Sequence, residues 1–432
     1  MSYGKGLRGV SIIGVGATPI GDIRQTPEIK DFTERELFAM ASMNAMEDAG
    51  ISAKDLDAFY LGISGANYDA KIKSAAPQFG GWIGMRGKPS VFHDEGCASA
   101  CFGLEMAVNA VASGRYDCVL SAAVNINTCV PKGNHLPFLR GEMSNDDLWN
   151  TVYSAADPAY EKAGYGGAGP LDAITINYCI KHGVSLEEMD DAFVTYILGK
   201  RAEALNNPLA AMATMSYEEE MEFMGFDDVR AYLKSEDFNP LVGTVIRSRY
   251  LGQTNVDASA AVIVCATDLV EKYTKNQPIE VAAITTSTTL GNPIPDLPIS
   301  LNKEMYQRVY EQAGITDPGK EIDMMSIHDC PIATIVPCAE DAGYLPEGEG
   351  WKYMSDGELN HDGKKPINTS GGRTQTGHPR SPAFNIEVME CVLQMRGEAG
   401  ERQIAGDPKT ALLWSGGAAW NLGACILRKK EA

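Results

Sequence analysis

The sequence predicts an α/β protein of two similar halves, with a mainly helical insertion lodged in the first. Three observations carry this. Strand-like apolar runs alternate with helical periodicity along most of the 432 residues. Four elements of the N-terminal part recur in the same order after Pro278. Between the two parts, roughly residues 130 to 245, the composition changes and becomes rich in Tyr, Met, Asn and acidic residues.

Gly9 to Ile20 (GVSIIGVGATPI) reads as a strand ending in turn residues, Glu36 to Gly50 as a helix closed by Ala-Gly, and Leu56 to Ile63 as a strand introduced by an aspartate. The same grammar returns in Ile279 to Thr285, Lys303 to Gly314 and Ile322 to Ile327. The junctions read DAGISAKDLDAFYLG in the first half and QAGITDPGKEIDMMSIHD in the second. Each half then carries a long helix and a strand, Cys97 to Val124 and Pro382 to Trp414, and closes on a small-residue-rich strand at 258–268 and 421–430. Ala-Gly ends many unrelated helices, but four matching elements in one order favour a duplicated unit over coincidence.

The insertion shows helical stretches at Leu171–His182, Leu186–Asn206 and Tyr217–Leu233, and a Gly-rich run GYGGAG at 164–169. Ser185 and Glu188 stand three apart, the spacing of a capping box. A segment of this size after a strand covers a site, because open α/β sheets bind ligands beyond strand C-termini. The implied domains are 1–129 with 246–270, the insertion 130–245, and 278–432.

With 44% hydrophobic residues the chain can bury substantial cores. The N-terminus MSYGKGLRGVSIIGVG lacks the long apolar stretch of a signal peptide, no run reaches the length of a membrane span, and a cytoplasmic protein is expected. Ten scattered cysteines, mostly within apolar runs and with no CxxC pair, indicate reduced thiols and no zinc knuckle or other metal site. A formal charge of -20 argues against nucleic acid or an acidic membrane surface as partner.

The stretch Val91 to Asn125 holds the first reactive side chain. A short extended run ends at Gly96, Cys97 follows, and apolar residues then recur at helical spacing through Cys101, Leu104, Val108 and Val111. Cys97 is thus expected on a strand-to-helix turn whose unpaired N–H groups favour its thiolate. By this stretch alone it is equally well one buried cysteine among ten. Three further places combine reactive groups with turns: Ile327-His328-Asp329-Cys330-Pro331 after a strand, Asn368-Thr-Ser-Gly-Gly-Arg-Thr-Gln-Thr-Gly-His378-Pro379, and Trp414-Ser-Gly-Gly-Ala-Ala419. Each alone reads as an ordinary loop. Together they supply a nucleophile, two imidazoles, a second thiol and backbone donors, the inventory for acyl transfer through a thioester.

The order of CAS, HDC, a TSGG loop running to GHP and a closing Gly-rich strand resembles the thiolase superfamily, in its sterol-carrier-protein branch. The resemblance spans nearly the whole chain. It implies a duplicated five-layered αβαβα core with an inserted loop domain, a homodimer, and cleavage of a 3-oxoacyl-CoA with coenzyme A as co-substrate and no covalently bound cofactor. Carried over by residue, Cys97 resembles the acyl-accepting nucleophile and His378 the histidine that takes its proton. His328 resembles the group completing a first oxyanion hole where other thiolases carry Asn, and Cys330 the second acid/base. The N–H groups of Cys97 and Gly416 are similar to a second oxyanion hole.

The sequence also departs from the family. Trp414 stands where other thiolases present their second cysteine, and RSPAFN follows GHP in place of LGATG, so the helix is expected to start with Ser381 as cap and Pro382 at its first position. Arg140, Lys200, Arg201, Arg247 and Arg249 are available for coenzyme A, with Arg247 and Arg249 the chosen pair, though none forms a phosphate loop. Chains of this type resemble thiolases that work with a small zinc-ribbon/OB-fold partner in a hetero-oligomer. Trp149, Tyr153, Tyr160, Tyr165 and Tyr178 suggest an aromatic acyl pocket, although packing of the loop domain explains them as simply. At its most specific the chain is similar to thiolases that cleave benzoylsuccinyl-CoA in aromatic degradation. The alternatives are a ketosynthase-like condensing enzyme, a non-catalytic acyl-CoA-binding subunit of the same fold and, further off, a synthase that would need Glu95 as acid/base.

Overall fold

The computed structural model describes residues 7–64, 75–128, 169–253, 256–288, 302–417 and 421–430. Cys129, Arg140, Trp149, Tyr153, Tyr160, Tyr165 and most of the Gly-rich run lie outside these residues.

Nine strands run in chain order as β1 (Val10–Ala17), β2 (Ala58–Gly62), β3 (Ser90–His93), β4 (Cys118–Asn125), β5 (Ala258–Ala266), β6 (Ile279–Thr288), β7 (Met324–Ile327), β8 (Thr410–Gly416) and β9 (Asn421–Lys429). Their spatial order is β3-β2-β4-β5-β1-β6-β9-β8-β7. Outward from β1 the pairs are β1 with β5 antiparallel, β5 with β4 antiparallel and β4 with β2 parallel. Outward from β6 the series repeats as β9 antiparallel, β8 antiparallel and β7 parallel. Both opening strands carry a bulge near the same place, between Ile12 and Gly14 in β1 and between Val281 and Ala283 in β6. The duplicated grammar of the sequence is therefore a duplicated topology. The halves join where β1 and β6 pair antiparallel, at Ser11 with Glu280 and Ile12 with Ile279.

Strand alternation sorts the side chains into layers. In β4, Val119 and Ala123 enter the central core while Leu120, Ala122 and Val124 enter the outer core of the first half. In β8, Ala411 and Leu413 face the centre while Leu412 and Trp414 face the outer core of the second half. The centre is filled by two helices, Ser99–Ala112 and Ala383–Arg396, whose Leu104, Val108, Val111, Phe384, Val388 and Val392 share one buried cluster. Helix Glu34–Ala49 covers the first half, begun by a capping box of Thr33 and Glu36. Helix Asn302–Ala313 lies in the outer core of the second half. This is the α/β fold of five layers that the sequence predicts. Each fully buried Leu, Val or Phe in it contributes about 1.5–3 kcal/mol.

The insertion's helices are Gly169–His182, Leu186–Leu205, Tyr217–Met224 and Val229–Lys234. Ser185 and Glu188 form the expected capping box. The single helix expected over Tyr217–Leu233 is two: Gly225, at φ 79°, ends the first, and Asp228 starts the second by accepting the Ala231 N–H at 2.6 Å. Ile174, Tyr196 and Ile197 of the insertion belong to the same buried cluster as Ile327, Leu412 and Trp414, so its helices are laid onto the second half.

Ser381 does not cap its helix. The helix starts at Ala383 with Pro382 at the cap position and no side-chain cap bond. The Ser381 hydroxyl is buried with no partner among the described residues, while its backbone carbonyl accepts the Ala100 N–H of the first half at 3.2 Å. Among the described residues no helix is long and apolar enough to cross a membrane, and the nine described cysteines are free thiols.

Candidate active site

β3 ends at His93, Asp94 and Glu95 turn the chain, and a 3-10 turn, Gly96–Ala98, leads into the central helix at Ser99. The turn is tied from within. The Ser99 hydroxyl donates to the Gly96 carbonyl (2.7 Å) and accepts the Glu95 N–H (2.9 Å), and Asp94 accepts the Gly96 N–H (3.0 Å). Asn421 of β9 donates its amide to the Glu95 carboxylate at 2.7 Å. Cys97 thus stands on the strand-to-helix turn expected of it. Its ionisation differs from expectation: burial pushes the thiol up, and the charges of Arg380 and Arg373 only partly oppose this. Desolvation disfavours the thiolate more than the helix start favours it. The resting sulfur is a thiol.

A histidine lies beside it. His378 Nε2 lies 3.3 Å from Cys97 Sγ, the two residues coming from opposite halves. The His378 N–H is anchored on the Gln253 carbonyl at 2.8 Å. The His328 ring stands 4.8 Å from that of His378, inclined at 66°. Burial holds both imidazoles well below the usual histidine range, and Arg373 adds to the effect in both. Both are therefore neutral at physiological pH, as an acceptor of a thiol proton has to be.

His328 is placed by its backbone. Its N–H donates to the Trp414 carbonyl (3.2 Å) and its carbonyl accepts the Thr334 hydroxyl (2.6 Å). Asn368 reads the preceding peptide from both sides, accepting the Ile327 N–H (2.7 Å) and donating to the Ile327 carbonyl (2.9 Å). Asp329, fully buried, accepts the Arg373 N–H (2.7 Å), the Thr374 hydroxyl (3.0 Å) and the Tyr196 hydroxyl (3.3 Å). These bonds lock the HDC turn to the loop that carries His378. The Trp414 indole donates to Asn302 at 3.0 Å and stands edge-on to the His328 ring, with centroids 6.5 Å apart.

Cys330 completes the cluster. Burial pushes its thiol up to about 12, with the Gly252 N–H and Arg373 opposing. Ligand atoms of His328, Cys330 and His378 lie within 4.8 Å of one another, a set a soft metal ion could use, but the positive charge of Arg373 acting on all three opposes a cation. Gly416 ends β8 opposite Leu422, and its neighbour Gly417 lies against the Glu95 carbonyl of the turn that carries Cys97.

Arg247 and Arg249, expected at coenzyme A, are held in ion pairs. Arg247 binds Asp190, Glu236 and the Asn239 carbonyl, and Arg249 binds Glu220 and the Phe238 carbonyl. Tyr178, taken for an acyl pocket, donates to Glu340 at 2.6 Å within the second half's outer core, which is the packing role.

Gly252 is a residue the sequence reading missed. A Cβ there would stand 2.6 Å from Cys330 Sγ and 3.2 Å from the His378 Cβ, so only glycine admits both side chains. Nothing in the run Tyr-Leu-Gly-Gln marks it, because the crowding comes from the other half. Gly252→Ala is expected to lower kcat about 10²-fold, the usual cost of an ångström-scale misplacement, with an unchanged far-UV circular dichroism spectrum. An unaltered kcat would show that Cys330 and His378 have room to spare.

Two family profiles match the chain: Thiolase, N-terminal domain, over residues 10–211, and Thiolase C-terminal domain-like, over residues 291–429. An acetyl-CoA acetyltransferase of Methanothermobacter thermautotrophicus is 28% identical over 404 residues, 93% of this chain and 94% of that one. Human sterol carrier protein 2 is 26% identical over 425 residues, 93% of this chain and 68% of that protein. The benzoylsuccinyl-CoA thiolase subunit BbsB of Thauera aromatica is 28% identical over 161 residues, 36% of this chain and 40% of that subunit. Among solved structures, the Ltp2-ChsH2(DUF35) aldolase superposes with a TM-score of 0.71 at 19% identity, over 98% of each chain. Human mitochondrial 3-ketoacyl-CoA thiolase in complex with CoA does so with a TM-score of 0.64 at 17% identity, again over 98% of each chain. At such identities these two establish the fold. Both halves of the architecture are accounted for in sequence and in space, and the chain belongs to the thiolase family: it is an acyltransferase for which coenzyme A is a substrate.

Proposed function

We propose that this protein cleaves 3-oxoacyl-CoA thioesters with coenzyme A through an acyl group carried on Cys97. The observation that carries the reading is the 3.3 Å approach of a neutral His378 Nε2 to the Cys97 thiol. His378 takes the thiol proton as the sulfur attacks the 3-oxo carbon, and the N–H groups of Cys97 and Gly416 receive the oxyanion. The C2–C3 bond then breaks. Its electron pair passes to the thioester as an enolate held by His328, with His378 beside it, and the Cys330 thiol protonates C2. A thiol held up to about 12 suits this task, since it stays protonated until a strong carbon base is formed beside it. After the first acyl-CoA leaves, coenzyme A gives its thiol proton to Cys330, attacks the acyl group on Cys97, and the released sulfur recovers its proton from His378.

The acyl group is proposed to be bulky or aromatic, as in benzoylsuccinyl-CoA; the stretch shared with the BbsB subunit supports this. The working assembly is proposed as a homodimer joined by a small zinc-ribbon/OB-fold partner, supported by the DUF35 protein named with the Ltp2 aldolase and by the subunit status of BbsB. The site is proposed to lie at the seam of the two halves, 1–129 with 246–270 and 278–432, under the insertion 130–245.

The test is a panel of 3-oxoacyl-CoAs incubated with the protein, with and without such a partner, and read by intact mass. A mass increase on Cys97 matching the acyl group supports the reading. Its absence throughout would favour a non-catalytic acyl-CoA-binding subunit. Cys330→Ala is expected to abolish α-proton exchange on the product acyl-CoA, by about 10²-fold or more. Undiminished exchange would point to ketosynthase-like chemistry.

A further inference from the structure

Arg373 is the most unusual charge in the protein. It lies in the one-turn helix Gly372–Gln375 and is 2% exposed. None of its three guanidinium nitrogens has a hydrogen-bond partner among the described residues, and it forms no ion pair there. Asp329 takes only its backbone N–H, and the Glu387 carboxyl feels its charge but answers instead the hydroxyls of Ser326 and Ser370, each at 3.0 Å. Among the described residues, the side chains of Arg402 and Arg396 are as buried but paired, to Glu390 at 2.8 Å and to Asp48 at 3.0 Å. An unpaired buried guanidinium is costly unless an anion arrives to share its donors.

The backbone of Arg373 is held at both ends, its N–H on Asp329 and its carbonyl accepting the Gln253 N–H at 3.0 Å. Its charge reaches Cys97, Cys330, His328 and His378 alike. Gln253, whose N–H meets the Arg373 carbonyl, also accepts the His378 N–H at 2.8 Å, and Asp329, which takes the Arg373 N–H, stands in the chain between His328 and Cys330, so the group that Arg373 awaits is placed at this cluster. We propose that Arg373 binds a second carboxylate on the acyl part of the substrate, so that the enzyme's substrates are dicarboxylic 3-oxoacyl thioesters. The planar fork of arginine fits a carboxylate with two parallel hydrogen bonds. This rests on the acyl-transfer reading of the site and specifies its substrate class.

The test uses pairs of CoA thioesters that differ by one carboxylate: 3-oxoadipyl-CoA against 3-oxohexanoyl-CoA for the chain end, and benzoylsuccinyl-CoA against its counterpart with an ethyl branch for the α-position. In at least one pair the full-length wild type is expected to prefer the acid by about 10²-fold or more in kcat/KM. In Arg373→Met that ratio is expected to collapse toward one, and in Arg373→Lys, which keeps the charge and loses the fork, to fall between. A measurement needing no variant is inhibition of the wild type by succinyl-CoA and by butyryl-CoA, neither of which has a 3-oxo group to cleave. Succinyl-CoA should be the tighter by at least about tenfold. Equal rates on both members of both pairs would overturn the proposal and leave acyl transfer standing. So would an equal loss on acid and neutral substrates in Arg373→Met, which would assign Arg373 to tuning the imidazoles alone. Failure of every substrate, with no adduct on Cys97, would remove the acyl-transfer reading and this proposal with it.

Discussion

Cys97→Ser is expected to lose at least about 10⁴-fold in turnover and to accumulate no acyl adduct. The exchange is nearly isosteric, so the turn bonded through Ser99, Asp94 and Asn421 should persist and the far-UV spectrum should not change. What changes is chemistry. The thiol is pushed up by burial, yet His378 can still draw off its proton; an alcohol in the same apolar setting is a far weaker acid. Serine is also a poor leaving group when coenzyme A attacks, so acyl transfer fails at both ends. Initial rates on a cleaved 3-oxoacyl-CoA, with intact mass of enzyme quenched during turnover, provide the measurement. A serine variant within tenfold of the wild type would show that Cys97 carries no acyl group.

For His378 the expected loss on replacement with Asn is about 10²- to 10⁴-fold, the usual worth of a positioned acid–base group, and the pH profile is the sharper readout. The competent form has His378 neutral, and that form is populated above its pKa. Because burial and the charges of Arg373 and Arg380 hold this pKa well below 6.5, the acid limb of kcat/KM should lie below the ordinary histidine range. Cys330, held up to about 12, should keep its proton through the alkaline side, so the wild-type profile should be nearly flat from about pH 6 to pH 9. In His378→Asn the thiol must ionise unaided, and the residual rate should rise with pH across that interval, because burial places Cys97 above its ordinary value. A wild-type profile that bends near pH 6.5 would mean that the imidazole is solvated in the working enzyme, and a flat profile in the variant would remove His378 from the deprotonation step.

Much of this architecture was legible in the sequence because it follows from local rules. Strand and helix periodicity, Ala-Gly terminations and the Ser185–Glu188 box are statements about neighbours along the chain, and the repetition of four of them in one order is visible without any tertiary information. The misreadings have separate causes. Tyr217–Leu233 was broken by Gly225 and Asp228, a local signal outweighed by the apolar pattern around it. Ser381 has the composition of a cap, yet the helix begins two residues later and the hydroxyl is buried with no partner among the described residues.

Residue types and their order are enough to specify a duplicated α/β chain bearing two thiols and one histidine on turns after strands and a second histidine on a Gly-rich loop, since those properties depend on periodicity and on chemistry intrinsic to each side chain. Which of those groups meet, and with what ionisation, depends on segments hundreds of residues apart and on how much water the packing removes. Folding sets His378 beside Cys97, crowds Gly252 against Cys330, and leaves Arg373 buried without an anion. Desolvation and long-range charge act through space, and no spacing along a chain encodes them directly.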